Sequence, residues 1–452
     1  METFHAPLGA LPFPFNFTIP SNQIAAFASP ANSITPWMDS RIWSRLPQRL
    51  IDRIIAFLPV PAFFRARAVC KRWYSLLFSS SFLQLYLQVS PRSHWFIFFK
   101  QKTLKNFVYR NNSNADSSGN SCNRIINEGY LFDPSEEKWY RIYFPSVPQG
   151  FSPAASSGGL ICWVSEEAGS KNILLSNPVT GSLSALPATL RPRLFPSIGL
   201  TITNSSIDLA VAGDDLISPY AVKNLSTESF HVDAGGFYSI WGTTSALPRL
   251  CSLESGRMVS VAGRFYCMNY SPFSILSYDV GSNEWSKIQA PMRRFLRSPN
   301  LIRCKRKLVL VAAVEKSKLN VPKSLRLWAL QECGNNWVEI ERMPQQLYLQ
   351  FSDMENGQGF NCVGYGDFVV IMIRGKADKA VMFDFCRKRW VWIPPCPYIN
   401  GYAGAGAGVG GGYGGDHQAA DELHGFGYEP RLATPVTALL DQLTLPFQSF
   451  NV

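Results

Sequence analysis

The feature that most constrains the fold of this chain is an internal repeat. An Asp, Asn or Gln recurs six residues before a large apolar residue, and each pair brackets a polar turn such as DPSEEKW or DVGSNEW. The six pairs are Asp133/Trp139, Asn177/Leu183, Asn224/Phe230, Asp279/Trp285, Gln331/Trp337 and Asp384/Trp390. Because the polar side chain can bond the turn backbone while the apolar one packs between sheets, each pair predicts a β-hairpin.

The spacing of these pairs indicates a kelch-type β-propeller. Successive apolar anchors lie 44, 47, 55, 52 and 53 residues apart, which suits one four-stranded blade per repeat. Six blades are favoured, with seven as the alternative. The segment 425–436 echoes the strand at 130–134, so we expect it to close the first blade onto the last and remove both free sheet edges.

A helical pattern precedes the repeat. Its apolar residues recur at steps of three and four, and prolines stand near both ends of the first run. The first helical run is carried by Leu46, Leu50, Ile51, Ile54, Ile55 and Leu58, with Pro47 at its start and Pro59 and Pro61 at its end. Two further runs follow near 64–77 and 82–87. The predicted fold class is therefore α+β multidomain, a small helical module followed by an all-β propeller.

The predicted organisation has five parts. They are a disordered arm over 1–36, the helical module over 37–90, propeller blades over 94–400, a Gly-rich flexible insert over 401–424, and a closing strand with a C-terminal segment over 425–446. No apolar run approaches the roughly 18 residues that a membrane-spanning helix needs, so no membrane partner is expected.

The string WSRLPQRLIDRIIAFLPVPAFFRARAVCKRWYSLL resembles the F-box pattern. F-box domains dock on Skp1, the adaptor that links them to the cullin of SCF ubiquitin ligases. The resemblance implies that seven residues form the docking face or its support: Leu46, Pro47, Leu50, Ile54, Leu58, Val69 and Trp73. The same residues could simply hold the helices together, and Trp73 suits the core better than the contact.

Charge is concentrated in two patches. The chain has a formal net charge of +11, of which segment 37–92 carries +7 and segment 293–326 carries +10, so the remainder is net acidic. In the helical module the cations next to the apolar ridges suit an acid-rimmed apolar groove. They are Arg45, Arg49, Arg53, Arg65 and Arg67.

Several longer stretches, among them RPRLFPSIGL, VAGDDLISPYAVKNL, SFHVDAGGF and APMRRFLRSP, resemble the Unusual Floral Organs and Fimbriata family of plant floral regulators. The resemblance covers about 37–400 and 425–446. It implies a meristem protein that is an SCF subunit and also a transcriptional cofactor of a Leafy-type transcription factor. The implied location is the nucleus, with the cytoplasm as an additional one.

Blade topology predicts which basic residues share a propeller face. With strands at 307–314 and 324–330, the loop between them lies on the same face as the connection that enters the blade. This places Lys316, Lys318 and Lys323 together with Arg293, Arg294 and Arg297. We predict that this basic group lies near DNA beside a DNA-bound transcription factor. The alternative is a solvated lysine-rich loop on a purely proteolytic receptor without DNA contact.

The equivalent loops of the second and third units are acidic, and we predict that they face a basic protein partner. The residues are Glu166, Glu167, Asp214 and Asp215. Only five histidines occur in the chain, so a metal centre that needs converging imidazoles is not expected. We predict a non-catalytic receptor with no cofactor, no metal and no small-molecule substrate.

Overall fold

A computed structural model of the chain describes residues 45–101, 127–215, 225–233, 240–249, 251, 253, 257–270, 273–315, 323–332, 334, 336–399 and 422–444. In these ranges a helical module precedes six four-stranded antiparallel sheets that form a propeller. The predicted fold class is confirmed, with six blades and not seven. The arm over 1–36 and most of the Gly-rich insert lie outside the described residues. None of the helices in the described ranges has the length and apolar character needed to cross a membrane.

From residue 45 onward, where the structure describes it, the helical module contains four α-helices and one 3-10 turn. Their bounds are α1 Gln48–Ala56, α2 Val60–Arg67, α3 Lys71–Ser75, the 3-10 turn Leu76–Phe78, and α4 Ser80–Val89. Pro47 precedes α1 and Pro59 precedes α2, each with the extended backbone that suits a residue just outside a helix. The single helix predicted over 64–77 is wrong, because the extended Cys70 separates α2 from α3.

Twenty-six strands follow the module in the described ranges. Their bounds are β1 Trp95–Gln101, β2 Asn127–Asp133, β3 Lys138–Phe144, β4 Phe151–Ser157, β5 Leu160–Ser165, β6 Gly169–Ser170, β7 Ile173–Ser176, β8 Leu183–Leu186, β9 Pro192–Arg193, β10 Ser197–Ile202, β11 Ser206–Asp214, β12 Leu225–Asp233, β13 Gly242–Thr243, β14 Val259–Val261, β15 Arg264–Tyr270, β16 Phe273–Asp279, β17 Glu284–Gln289, β18 Leu296–Cys304, β19 Lys307–Val314, β20 Ser324–Leu330, β21 Trp337–Arg342, β22 Phe360–Tyr365, β23 Phe368–Ile373, β24 Ala380–Asp384, β25 Arg389–Trp392 and β26 Glu422–Tyr428. Two further helices are α5 Gln345–Glu355 and α6 Thr437–Thr444.

The strands form blades in chain order, with one exception. Blade one has the order β26-β1-β2-β3, so its innermost strand comes from the far end of the chain. Strand β26 pairs with β1 from Trp95 opposite Tyr428 to Gln101 opposite Glu422. It begins three residues before the range predicted for the closing strand. Blades two to six are β4-β5-β7-β8, β10 to β13, β14 to β17, β18 to β21 and β22 to β25, while β6 and β9 form a small separate ladder.

The repeat marks the outer hairpin of most blades. In blade one Asp133 ends β2, and its Oδ1 accepts a hydrogen bond from the backbone N–H of Ser135 at 2.9 Å. Asp279 and Asp384 end β16 and β24 and accept equivalent turn bonds. The carboxylate therefore fixes the turn, as the spacing predicts.

The repeat assignment is wrong in blade three. Phe230 lies inside β12, opposite Leu209, instead of starting a strand after a turn, and Asn224 lies outside the described residues. Strand β12 ends at Asp233, and Trp241, just before β13, is buried against Phe230. A longer connection, DAGGFYSIW, separates the two, which is why a search at a fixed spacing of six misses this pair.

Tryptophans in these outer positions tie four of the six blades to the blade before them. Four indole N–H groups donate across a blade boundary: Trp139 to Pro394 O at 2.8 Å, Trp241 to Pro187 O at 2.7 Å, Trp285 to Thr244 Oγ1 at 2.9 Å, and Trp337 to Gln289 O at 2.9 Å. The anchors thus combine ring burial with a directional bond, which fixes the angle between blades.

The propeller has two faces. We call one of them the F-box face, because the helical module enters β1 from it. The innermost strands end at this face, since Trp95 at the start of β1 pairs with Tyr428 at the end of β26. The far face carries the connections between blades and the loops between the second and third strands. In blade five Leu296, Val314 and Ser324 lie side by side at the far face.

Candidate functional site

The helical module shares one core with the propeller. Ile55 of α1, Phe63 of α2 and Tyr86 of α4 are buried in the same cluster as Trp95 and Tyr428 of blade one. Phe63 stacks on Phe82 with the ring centroids 5.7 Å apart. A module of this size buries only a marginal core alone, so its packing on blade one stabilises its position relative to the propeller.

The outer surface of the module exposes an unusual number of large apolar side chains. Six of them are more than a third exposed, and we call them the adaptor face: Leu50, Ile54, Phe57, Val69, Tyr74 and Phe78. Val69 is 68% exposed and Phe78 is 71% exposed. Contiguous exposed apolar area on a folded domain is typical of a protein-binding surface.

The structure divides the seven predicted docking residues into two groups. Leu50, Ile54 and Val69 are on the adaptor face, and Pro47 is also exposed. Leu58 and Trp73 pack against the shared core, and Leu46 is half-buried. Leu58 and Trp73 therefore occupy the supporting positions that the sequence interpretation allowed.

Local structure holds the adaptor face in shape. The break at Cys70 turns the chain between α2 and α3, and the Cys70 Sγ accepts from the Trp73 N–H at 3.5 Å. Arg72 Nη2 donates to both carboxylate oxygens of Asp52, at 2.6 and 2.8 Å, which joins α3 to α1. These contacts fix α3, which contains Tyr74, against α1, which contains Leu50 and Ile54.

One of the five predicted rim arginines is placed differently from the prediction. Arg45, Arg49, Arg53 and Arg65 are exposed, but Arg67 is buried. The reason is aromatic packing, because the Arg67 guanidinium lies 4.5 Å from the Tyr74 ring centroid, and its Nε donates to the Tyr74 carbonyl at 3.1 Å. Burial lowers the pKa of Arg67.

Sequence reasoning missed three residues of the adaptor face. Phe57, Tyr74 and Phe78 are exposed, and none of them is among the seven docking residues that the F-box resemblance implies. Arg67 also lies 5.7 Å from the Phe78 ring. A usable sequence signal is the spacing of Phe57, three residues after Ile54 and seven after Leu50, which places it on their helix face.

On the far face, blade five presents part of the predicted basic group. Arg293, Arg294 and Lys323 are exposed, while Lys316 and Lys318 lie outside the described residues. The strands predicted at 307–314 and 324–330 are confirmed.

Arg297 is committed to an internal ion pair. It donates through both terminal nitrogens to Glu355 of α5, with Nη2 to Oε2 at 2.7 Å, and Glu355 is only 1% exposed. Its Nε also lies 3.5 Å from Glu315. Pairing with Glu355 raises the pKa of Arg297. The inclusion of Arg297 in a free basic surface is therefore corrected, because its charge is compensated inside the blade.

The predicted acidic group is also partly internal. Asp215 accepts from Arg191 Nη1 at 2.9 Å and from the hydroxyl of Ser226. Glu166 accepts from the Ser152 hydroxyl and is half-buried, as is Asp214, whereas Glu167 is exposed. Asp215 is paired with a cation, so the acidic surface is weaker than the sequence predicts.

Beneath the acidic loops lie buried ions. Arg193 and Glu228 are both fully buried, and Arg193 Nη2 donates to Glu228 Oε1 at 3.1 Å. Lys171 is also fully buried, and its Nζ donates to the Ser165 carbonyl at 3.1 Å. Burial lowers the pKa of Lys171 to about 8. In the part of the chain that the structure describes, no three His, Cys, Asp or Glu side chains are grouped so as to hold a metal ion.

Comparison with protein-family models gives two matches. Residues 43–85 match the model of the F-box domain, and residues 131–353 match the model described as the KIB1-4 beta-propeller. The first match covers the adaptor face, and the second runs from β2 of blade one through all of blade five and most of α5. The two matches agree with the two parts of the fold.

Comparison with characterised proteins gives matches over most of the chain. The protein Unusual Floral Organs of Arabidopsis thaliana is 60% identical over 98% of this chain and 97% of its own length. Aberrant Panicle Organization 1 of Oryza sativa subsp. indica is 43% identical over 89% of this chain and 92% of its own length. SKP1-interacting partner 15 of Arabidopsis thaliana is 24% identical over 81% of this chain and 96% of its own length.

Proposed function

Because this chain belongs to the F-box protein family of Unusual Floral Organs and Aberrant Panicle Organization 1, we propose that it is the substrate-recognition subunit of an SCF ubiquitin ligase in flower development. The observation that carries the proposal is the adaptor face, an exposed apolar surface bordered by Arg45, Arg49 and Arg53 on a module that matches the F-box domain. Its chemistry suits the apolar, acid-rimmed groove of a Skp1-type adaptor, and the adaptor connects it to a cullin. One relative carries the name SKP1-interacting partner. The role is that of a non-catalytic receptor.

The test is an affinity measurement with a purified Skp1-type adaptor and the full chain. The change is Leu50→Asp with Ile54→Asp, which places two charges in the centre of the adaptor face. Loss of the apolar contact and burial of uncompensated carboxylates should weaken binding by about a hundredfold or more. Surface plasmon resonance gives the affinity, and circular dichroism checks the fold.

The matched control is Leu349→Asp. Leu349 is an exposed apolar residue of similar exposure, but it lies on α5 of the propeller. Its substitution should leave adaptor affinity unchanged. Equal adaptor binding by the Leu50/Ile54 variant and the wild-type chain would contradict the proposal.

A second function is favoured by the far face. Arg293, Arg294 and Lys323 are exposed on a surface that points away from the F-box face, so an adaptor bound to the module leaves that surface accessible. The further part of the proposal is a nuclear cofactor role with a Leafy-type transcription factor, in which these cations lie near DNA and the loops with Glu167 and Asp214 contact the protein. With so few phosphate contacts, binding to DNA alone is weak and salt-sensitive, and the protein partner supplies the recruitment.

The test is a band-shift titration of the protein with its transcription factor on DNA. The triple change Lys316→Ala, Lys318→Ala and Lys323→Ala should weaken assembly on DNA several-fold and reduce its salt dependence. The matched control is Lys305→Ala, Arg306→Ala and Lys307→Ala, three cations of the same blade whose turn lies at the F-box face. Unchanged assembly in the first variant, with binding of the transcription factor intact, would favour a purely proteolytic receptor without DNA contact.

A further inference from the structure

The central channel of the propeller contains a cavity of about 200 Å³. It is lined by the innermost strands, with residues from β4, β10, β14, β18, β22 and β26. That volume holds several water molecules or one tetrahedral oxyanion. Among the described residues that line it, four are arginines and one is a glutamate: Arg92, Arg257, Arg303, Arg431 and Glu429.

Arg257 reaches across the channel axis. It precedes β14 of blade four, and its Nη2 donates to the Cys362 carbonyl of blade six at 2.9 Å. Its Nη1 donates to the Gly425 carbonyl of blade one, on the opposite side of the ring. The guanidinium also lies 5.4 Å from the ring centroid of Phe426. The side chain therefore crosses the channel, at the end of the cavity that lies farther from the F-box face.

The charge of Arg257 has no carboxylate partner among the described residues. Its hydrogen-bond acceptors there are the two backbone carbonyls. Burial lowers the pKa of Arg257 to about 10, so the guanidinium stays protonated at neutral pH. Arg257 is half-buried, and a cation that is partly withdrawn from water without an anionic partner is costly, so protein interiors normally pair it.

The other arginines stand toward the F-box face. Arg303 is near the end of β18 and is exposed, and Arg92, in the segment that joins the helical module to β1, is exposed too. Arg431 donates to Glu429 Oε1 at 2.6 Å, which compensates one cation. The Nε of Arg431 is buried and makes no hydrogen bond to the part of the chain described. The cavity lining thus keeps a net positive charge, which attracts anions.

From this arrangement we propose that the central channel is a binding site for a small oxyanion, a phosphate or the phosphate group of a small ester. Arg257 is the principal counter-ion, and Arg92 and Arg303 attract the anion at the mouth. Guanidinium groups suit this ligand because their N–H donors match tetrahedral oxyanions. The site is separate from the adaptor face and from the far-face loops.

The test is isothermal titration calorimetry of the full chain with inorganic phosphate in a chloride buffer of constant ionic strength. We expect saturable binding of one phosphate per chain. Arg257→Gln should weaken it at least about tenfold, since a charge-assisted contact is lost. Arg303→Ala should weaken it by about threefold through the loss of a partly screened charge. A second titration with glycerol 2-phosphate distinguishes the two sources of the oxyanion. A site for free phosphate should bind phosphate more tightly than the ester, and a site for a phosphorylated metabolite should bind the ester at least as tightly as phosphate.

The matched control is Arg306→Ala, an exposed arginine of the same face that does not line the cavity. Its phosphate affinity should equal that of the wild type. Arg257 also braces the ring, so its variant must show wild-type circular dichroism. If it fails to fold, the Arg303 and Arg306 variants decide. The absence of saturable binding, or an equal loss in the Arg303 and Arg306 variants, would overturn the proposal.

Discussion

The helical module and the far face of blade five differ in which side chains they leave exposed. On the module, large apolar side chains, whose residue type favours burial, are exposed, with Phe78 at 71%. On the far face, a side chain that reads as free is taken inward, because Arg297 is bound by a glutamate that is 1% exposed. Residue type alone therefore misassigns both regions. Exposure together with partner occupancy decides which groups remain available to another molecule.

The largest effect is expected where a charge is most completely internal. Arg193→Met would leave Glu228 buried without its guanidinium, and it should lower the free energy of unfolding by about 4 kcal/mol. Arg191→Met removes a half-exposed partner of Asp215 and should cost less than about 1 kcal/mol. Urea unfolding followed by tryptophan fluorescence measures both. Similar midpoints for the two variants would show that burial does not separate structural from available charges here.

The comparison on the far face itself rests on two arginines of one connection. Arg297→Ala should lower the free energy of unfolding by about 3 kcal/mol, because it leaves Glu355 buried and unpaired. Arg293→Ala, four residues earlier and exposed, should change it by no more than about 0.5 kcal/mol. Thermal and urea midpoints give the difference. If Arg297→Ala leaves the free energy of unfolding unchanged, Arg297 belongs to the free basic surface.

The module gives the converse prediction. Phe78→Ala should leave the free energy of unfolding within about 1 kcal/mol of the wild type, since the ring is mostly exposed. It should weaken adaptor binding by about tenfold, because exposed aromatic residues often dominate interfaces. Calorimetric titration with the adaptor and a urea series provide the two readings. A stability loss without an affinity loss would make Phe78 part of the core instead of the adaptor face.

Lys171 tests the comparison through pH. Its pKa is about 8 in the folded chain, against about 10.4 for an unperturbed lysine. Between pH 7 and 9 the unfolded chain keeps this proton while the folded chain releases it, so stability should rise with pH by about 1 kcal/mol from this group. The difference between the urea midpoints of wild type and Lys171→Met across this range isolates the contribution. A constant difference would mean that Lys171 remains charged throughout.

Most of the fold can be predicted from local sequence patterns. The turn carboxylates and aromatic anchors are a few residues apart, so a repeat search finds the hairpins. The side-chain contacts that the sequence does not predict join residues far apart in the chain. Glu355 is 58 residues from Arg297, and the acceptors of Arg257 are 105 and 168 residues away. The connection before Trp241 has its own length, which a fixed spacing cannot anticipate.

The candidate site shows the same division. A motif indicates where the module begins and which helices it contains, but it does not tell which flank of each helix the propeller covers. The shared core settles that choice, because blade one contributes Trp95 and Tyr428 to the cluster that buries Phe63 and Tyr86. The remaining flank becomes the adaptor face. Phe57 is assigned to it by position on the helix, and Tyr74 and Phe78 are assigned by three-dimensional packing.

The closing strand has a consequence for biosynthesis. Blade one receives its innermost strand, Glu422–Tyr428, after all the other strands that the structure describes have been translated. Until that strand leaves the ribosome, β1 keeps an open edge that can pair with another chain. A premature stop codon placed after blade six would therefore remove only a small fraction of the protein, yet it would leave the ring permanently open. Quality-control chaperones should retain such a truncated product even though every other blade is intact.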